Sequence, residues 1–170
     1  MTDTRARAFP QPVPPHRARA LPWLTVVAGS FVTAVPLVAT VPLLPPCGLL
    51  MLLAWRLLLR YSLRRWAAAP LGFVDDLVSG QPLGSAMLLW SLAVLLIDLM
   101  EQRRVFRDWW QDWLVATALI AFCLIGGRLL AVPLGAHVDT AVLVQGVIAA
   151  LLFPAATRLV AWVDAKRGPA

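Results

Sequence analysis

The sequence has little lysine, cysteine or charge. Lys166 is its single lysine, Cys47 and Cys123 are its two cysteines, and charged residues make up 14% of 170 positions. One thiol near the edge of an apolar run and one inside another exclude a disulfide framework and a cysteine metal cluster. His16 and His137 have no second ligand at metal spacing, so no histidine metal site is expected. With 60% hydrophobic residues and a mean hydropathy of +0.76, the scarcity of charge excludes an ordinary soluble globule. What remains is an integral membrane protein. A net charge of +6 and a pI near 11.0 would suit a nucleic-acid binder. No basic stripe interleaved with aromatics lies outside the apolar runs, however, so no nucleic acid is expected. The arginines stand instead at the ends of those runs, as topology determinants do.

Residues 1–20 are rich in Arg and Pro without an apolar period, which predicts a disordered cytoplasmic tail. A cleaved signal peptide is disfavoured, because the apolar run that follows is too long and lacks a small-residue cleavage site. A membrane domain is expected over 21–165 and a short cytoplasmic tail over 166–170. The domain divides into six apolar runs. The first, 21–44, carries Pro36 and Pro42, expected to kink it; the second, 47–61, follows the break at Pro45-Pro46. The third, 66–79, is short for a crossing, at roughly 20 Å of ideal helix. The fourth is 83–100, the fifth 114–134 with a Gly126-Gly127 packing notch, and the sixth 140–163 with Pro154 inside it. Trp109, Trp110 and Trp113 read as an aromatic belt in the charged connector before the fifth run.

Arg56, Arg60, Arg64 and Arg65 are expected to snorkel toward one surface. With Arg5, Arg7, Arg17, Arg19, Arg103, Arg104, Arg107, Arg158, Lys166 and Arg167 they place nearly all the positive charge on one side and leave Arg128 on the other. That asymmetry predicts an all-α bundle of six transmembrane helices with both termini cytoplasmic.

The stretch 67–84, AAAPLGFVDDLVSGQPLG, carries two adjacent acids, Asp75 and Asp76, among apolar or small residues. An ionised acid at the bilayer centre costs several kcal/mol or more, so these carboxylates must face protein or water, or be protonated. The turn signal Ser79-Gly80-Gln81-Pro82-Leu83-Gly84 places them just inside one membrane face, on the side of Arg128, His137 and Asp139. Pairing of either acid with Arg128 would offset the burial of both. Adjacent helical residues point about 100° apart, so the acids do not form a convergent dyad. Protease-like or metal-assisted catalysis would need a distant partner such as Asp139, and an enzyme is not expected. A structural role for Asp76 is helix-end chemistry, accepting hydrogen bonds from amides of the turn or the next helix start.

Gly72-Phe73-Val74-Asp75-Asp76-Leu77-Val78-Ser79-Gly80-Gln81-Pro82-Leu83-Gly84 resembles the G-x-x-x-D-L-x-S-G-x-P-L-G signature of the rod shape-determining MreD family. Pro45-Pro46 and the run Trp55-Arg56-Leu57-Leu58-Leu59-Arg60 stand upstream in the expected order. By this resemblance Asp76 matches the family's acid, Gly72 its small residue one turn earlier, and Pro82-Leu83-Gly84 the start of its next helix. Asp75 departs from the pattern, where an apolar residue is usual. The resemblance implies a non-enzymatic, cofactor-free component of the bacterial inner membrane. It would bind the bitopic protein MreC and support lateral peptidoglycan synthesis with MreB filaments and elongation-specific cell-wall synthases, directly or through MreC. An alternative comes from the six-helix layout, which is similar to that of substrate-capturing subunits of energy-coupling-factor transporters. It would require an outward pocket near Asp75, Asp76, Arg128 and His137.

Overall fold

The computed structural model describes residues 15–34, 45–59, 63–80, 82–103, 109–131 and 140–166. Among them the chain forms six α-helices and no strand: α1 (Pro15–Ala34), α2 (Cys47–Leu58), α3 (Ala68–Ser79), α4 (Ser85–Arg103), α5 (Trp109–Ala131) and α6 (Thr140–Ala165). A 3-10 turn, Arg65–Ala67, leads into α3. Helices α4, α5 and α6 are long and apolar enough to cross a membrane, over Ser85–Gln102, Trp109–Leu130 and Val142–Ala165. Shorter apolar segments, Ala20–Thr33 and Cys47–Leu58, come from α1 and α2. At 12 residues, α3 reaches about 18 Å.

Two helices begin earlier than expected. α1 starts at Pro15, inside the segment expected to be a disordered tail; proline is at ease at a helix start, where its missing N–H would have had no partner. α5 starts at Trp109, inside the expected connector. Its tryptophans stack edge to face, with Trp109–Trp110 centroids 5.4 Å apart and Trp110–Trp113 5.9 Å. The three tryptophans expected to form a belt thus stand in the first turns of a helix. Pro36, Pro42, His137 and Asp139 lie outside the described residues.

Helix α2 is the centre of the bundle. Every residue from Gly48 to Leu57 is buried, as expected of a helix that is apolar on all sides. It packs against α1 and α6, and more lightly against α4 and α5. α3 lies against α1 and α4, and α5 lies between α4 and α6. Leu88, Leu95 and Leu99 on α4 and Leu143, Val147 and Leu151 on α6 point outward. Such faces are at no disadvantage in hydrocarbon.

Pro154 lies inside α6. Having no N–H, it deprives the Ala150 carbonyl, four residues earlier, of its helical donor. Trp113 of α5 supplies one, its Nε1 donating to that carbonyl at 3.1 Å. Within lipid such a group must find a partner in the protein, so the proline and the indole fix α5 against α6. Trp113→Phe keeps most of the ring and removes the donor, and is expected to cost about 1–2 kcal/mol. Thermal unfolding in detergent checks this against Trp110→Phe, whose ring is exposed; equal losses would contradict the assignment. On α1, Thr25 also links a proline to an indole. Its hydroxyl donates to the Pro22 carbonyl at 2.9 Å and accepts the Trp55 indole of α2 at 2.7 Å.

Candidate functional site

The turn between α3 and α4 brings most of the sequence-predicted residues together. α3 ends at Gly80, whose left-handed φ of +68° turns its N–H onto the Asp76 carbonyl at 3.1 Å. Pro82, Leu83 and Gly84 follow as a turn closed by the Ser85 N–H on the Pro82 carbonyl at 3.1 Å. They are therefore not the first residues of the next helix, as the family pattern implied. Gly84 has a φ of +96°, outside the helical region and open in practice to glycine. Leu83 projects outward and is exposed.

The Asp76 side chain is 1% exposed. Its Oδ2 accepts the Gly84 N–H at 2.9 Å and the Met87 N–H at 3.3 Å. Its Oδ1 accepts the Ala86 N–H and the Ser85 hydroxyl, each at 2.9 Å. The first amides of a helix have no partner within it and carry the positive end of its dipole. A carboxylate on α3 therefore caps α4. Gly72, one turn before Asp76 on the same face of α3, makes that reach possible. A Cβ there would lie 2.7 Å from both the Ala86 carbonyl oxygen and the Met87 Cα, so the two backbones meet directly.

Asp75 serves a different interface. Its carboxyl lies beside the Ser30 hydroxyl of α1 and the start of α2, where a Cβ on Gly48 would come 3.2 Å from Asp75 Oδ1. The exposed Ser79 hydroxyl donates to the Asp75 carbonyl at 2.7 Å. The pairing expected with Arg128 is not formed: among the described residues no ion pair joins Arg128 to Asp75 or Asp76. Asp76 is already supplied with donors by α4, and Asp75 is turned toward α1 and α2. Arg128 projects from an exposed face of α5. Among the described residues no group of three or more His, Cys, Asp or Glu is placed to hold a metal ion.

A second polar cluster, at the arginine-rich end of α2, was not anticipated. Arg56 does not snorkel to the surface: it is buried, ion-paired with Asp98 of α4, and donates from its guanidinium to the Leu63 carbonyl at 3.2 Å. Arg65 approaches the other Asp98 oxygen through Nε at 2.9 Å. The signal available was a charge inside each of two apolar runs on the same predicted side. With Arg56 and Asp98 42 positions apart, no local spacing connects them. Removing one partner of a buried pair typically costs about 3–5 kcal/mol, whereas replacing both by apolar residues is often neutral. Asp98→Leu is accordingly expected to destabilise the protein by about 3 kcal/mol, and Arg56→Met/Asp98→Leu to recover most of the loss. A double variant no more stable than the single one would contradict this.

The hairpin geometry gives a physical role to each principal signature position. Gly72 permits close approach, Asp76 is a cap, and Gly80 and Gly84 take the left-handed turns. Neither a curated protein nor a solved structure matches the chain. The sequence profile of the rod shape-determining protein MreD matches residues 19–164, from α1 into α6. The chain belongs to the MreD family.

Proposed function

We propose that this protein is a non-enzymatic component of the bacterial rod elongation complex. It resides in the inner membrane with both termini cytoplasmic and binds an MreC-like bitopic protein. Through that protein or directly, it works with MreB filaments and elongation-specific synthases in lateral peptidoglycan synthesis. Membership of the family makes it a cell-shape-determining membrane component, and its long apolar helices make it multi-pass. One observation carries the finer reading: its buried polar groups hold its own helices together. Asp76 caps α4, and Asp98 fixes Arg56 between α2 and α4. The outward faces of α4 and α6 are apolar, suited to packing against a transmembrane helix by shape. The transporter-subunit alternative would use Asp76 in a ligand pocket, and nothing in the geometry favours it over the cap.

The test is a mild-detergent pull-down of the tagged protein from its native membrane, followed by mass spectrometry. Recovery of a bitopic MreC-like protein with cell-wall synthases is expected. Recovery of paired ATPases and a bound vitamin in their place would overturn the proposal.

A further inference from the structure

At the arginine-rich end of the bundle, where α2, the 3-10 turn and α4 meet, lies a cavity of about 530 Å³. Its wall includes Arg56, Arg64, Arg65, Trp66, Asp98 and Gln102. The chemistry is uneven around it. On one wall Asp98 is matched by Arg56 and by the Nε edge of Arg65. The Arg65 side chain is nevertheless 75% exposed, so the Asp98 contact holds one edge of the guanidinium and leaves the rest open to the cavity mouth. Arg64 is exposed, in extended backbone just before the 3-10 turn, and forms no ion pair among the described residues. Glu101 also borders the space and has an interaction of its own. Three arginines against two acids leave an excess of one positive charge, carried at the mouth.

Depth argues for the source of the anion. The membrane-capable part of α4 ends at Gln102, on the cavity wall, so in the six-span arrangement proposed above the opening stands where hydrocarbon gives way to headgroups. Trp66 is exposed at the rim with its ring centroid 5.6 Å from that of Trp23 of α1, as aromatics stand at that level. We propose that this cavity binds a phosphate group, presented by the headgroup of an anionic phospholipid, through Arg64 and the open edge of Arg65. A guanidinium offers phosphate several donors in one plane. Arg56, fixed by Asp98, forms part of the wall.

The test is native mass spectrometry of the full-length protein in detergent, titrated with phosphatidylglycerol, phosphatidylcholine or inorganic phosphate. Phosphatidylglycerol is expected to be retained in preference to phosphatidylcholine and to resist displacement by equimolar inorganic phosphate. Arg64→Gln, which leaves the Asp98 contacts intact, is expected to weaken retention about fivefold, and Arg64→Gln/Arg65→Gln by more. Thermal unfolding shows whether each variant remains folded, and Arg64→Gln alone decides the matter if the double variant does not. Equal retention of the two lipids, or retention unchanged by Arg64→Gln, would overturn the proposal. Displacement by inorganic phosphate would keep the phosphate chemistry and overturn the lipid source.

Discussion

Asp76→Ala is expected to destabilise the protein by roughly 3 kcal/mol, because it removes one charged acceptor from several buried donors at once. The amides of Gly84, Ala86 and Met87 and the Ser85 hydroxyl all end on that carboxylate. The site is buried in protein, with Asp76 1% exposed, so solvent does not take the place of the lost acceptor. Asp76→Asn should lose less, since its remaining oxygen still accepts while its amide nitrogen meets donors. Asp75→Ala should be milder than Asp76→Ala, since Asp75 is only partly buried and faces one hydroxyl across the α1 interface. The comparison is made by thermal unfolding in detergent and by rescue of rod shape in cells lacking the native protein. Equal tolerance of Asp75→Ala and Asp76→Ala would contradict the capping role.

Gly72→Ala is expected to be nearly as damaging, at about 3 kcal/mol, because the added methyl group meets backbone that cannot turn aside. Its nearest atoms would be the Ala86 carbonyl oxygen and the Met87 Cα, each 2.7 Å away. Relief requires α3 and α4 to separate, which also lengthens the Asp76 hydrogen bonds. Gly126→Ala provides the control. There the new Cβ would come 2.6 Å from Leu89 Cδ2, the end of a side chain that can change rotamer, so a loss of about 1 kcal/mol is expected. Unfolding temperatures decide between the two. Gly126→Ala proving the more harmful would contradict the close-approach argument.

The hairpin was legible because its causes are local. Asp76, the turn residues and the amides it caps lie between positions 76 and 87, so one short stretch contains both the acid and the helix start that needs it. The six helices were legible from apolar runs, and α3 was visibly short. Other contacts depend on which helices become neighbours, which no spacing encodes. Trp113 meets Ala150 across 37 residues, and Arg56 meets Asp98 across 42. The expected link between Arg128 and the acids failed for the same reason. A shared membrane face limits depth but leaves the direction of each side chain open. The early starts of α1 and α5 were obscured because Arg, Pro and Trp at a helix's polar end have the composition of a loop.

A cap that crosses a turn determines where this chain can be divided. A break between Ser79 and Ser85 would part the Asp76 carboxylate from the amides it serves, leaving acceptor and donors in separate pieces. The ion pair of Arg56 with Asp98 likewise joins residues that both precede the end of α4. A break after Arg103 severs neither. The first four helices therefore carry their own polar contacts as one fragment, while α5 and α6 form a second, joined within itself by the Trp113 indole on Ala150. Across the boundary between them run the packing of α2 on α6 and a weak contact of the Cys123 thiol with the Leu89 carbonyl, 3.9 Å away. A break there therefore spares the Asp76 cap and the Arg56–Asp98 pair, which a break in the α3–α4 turn would divide.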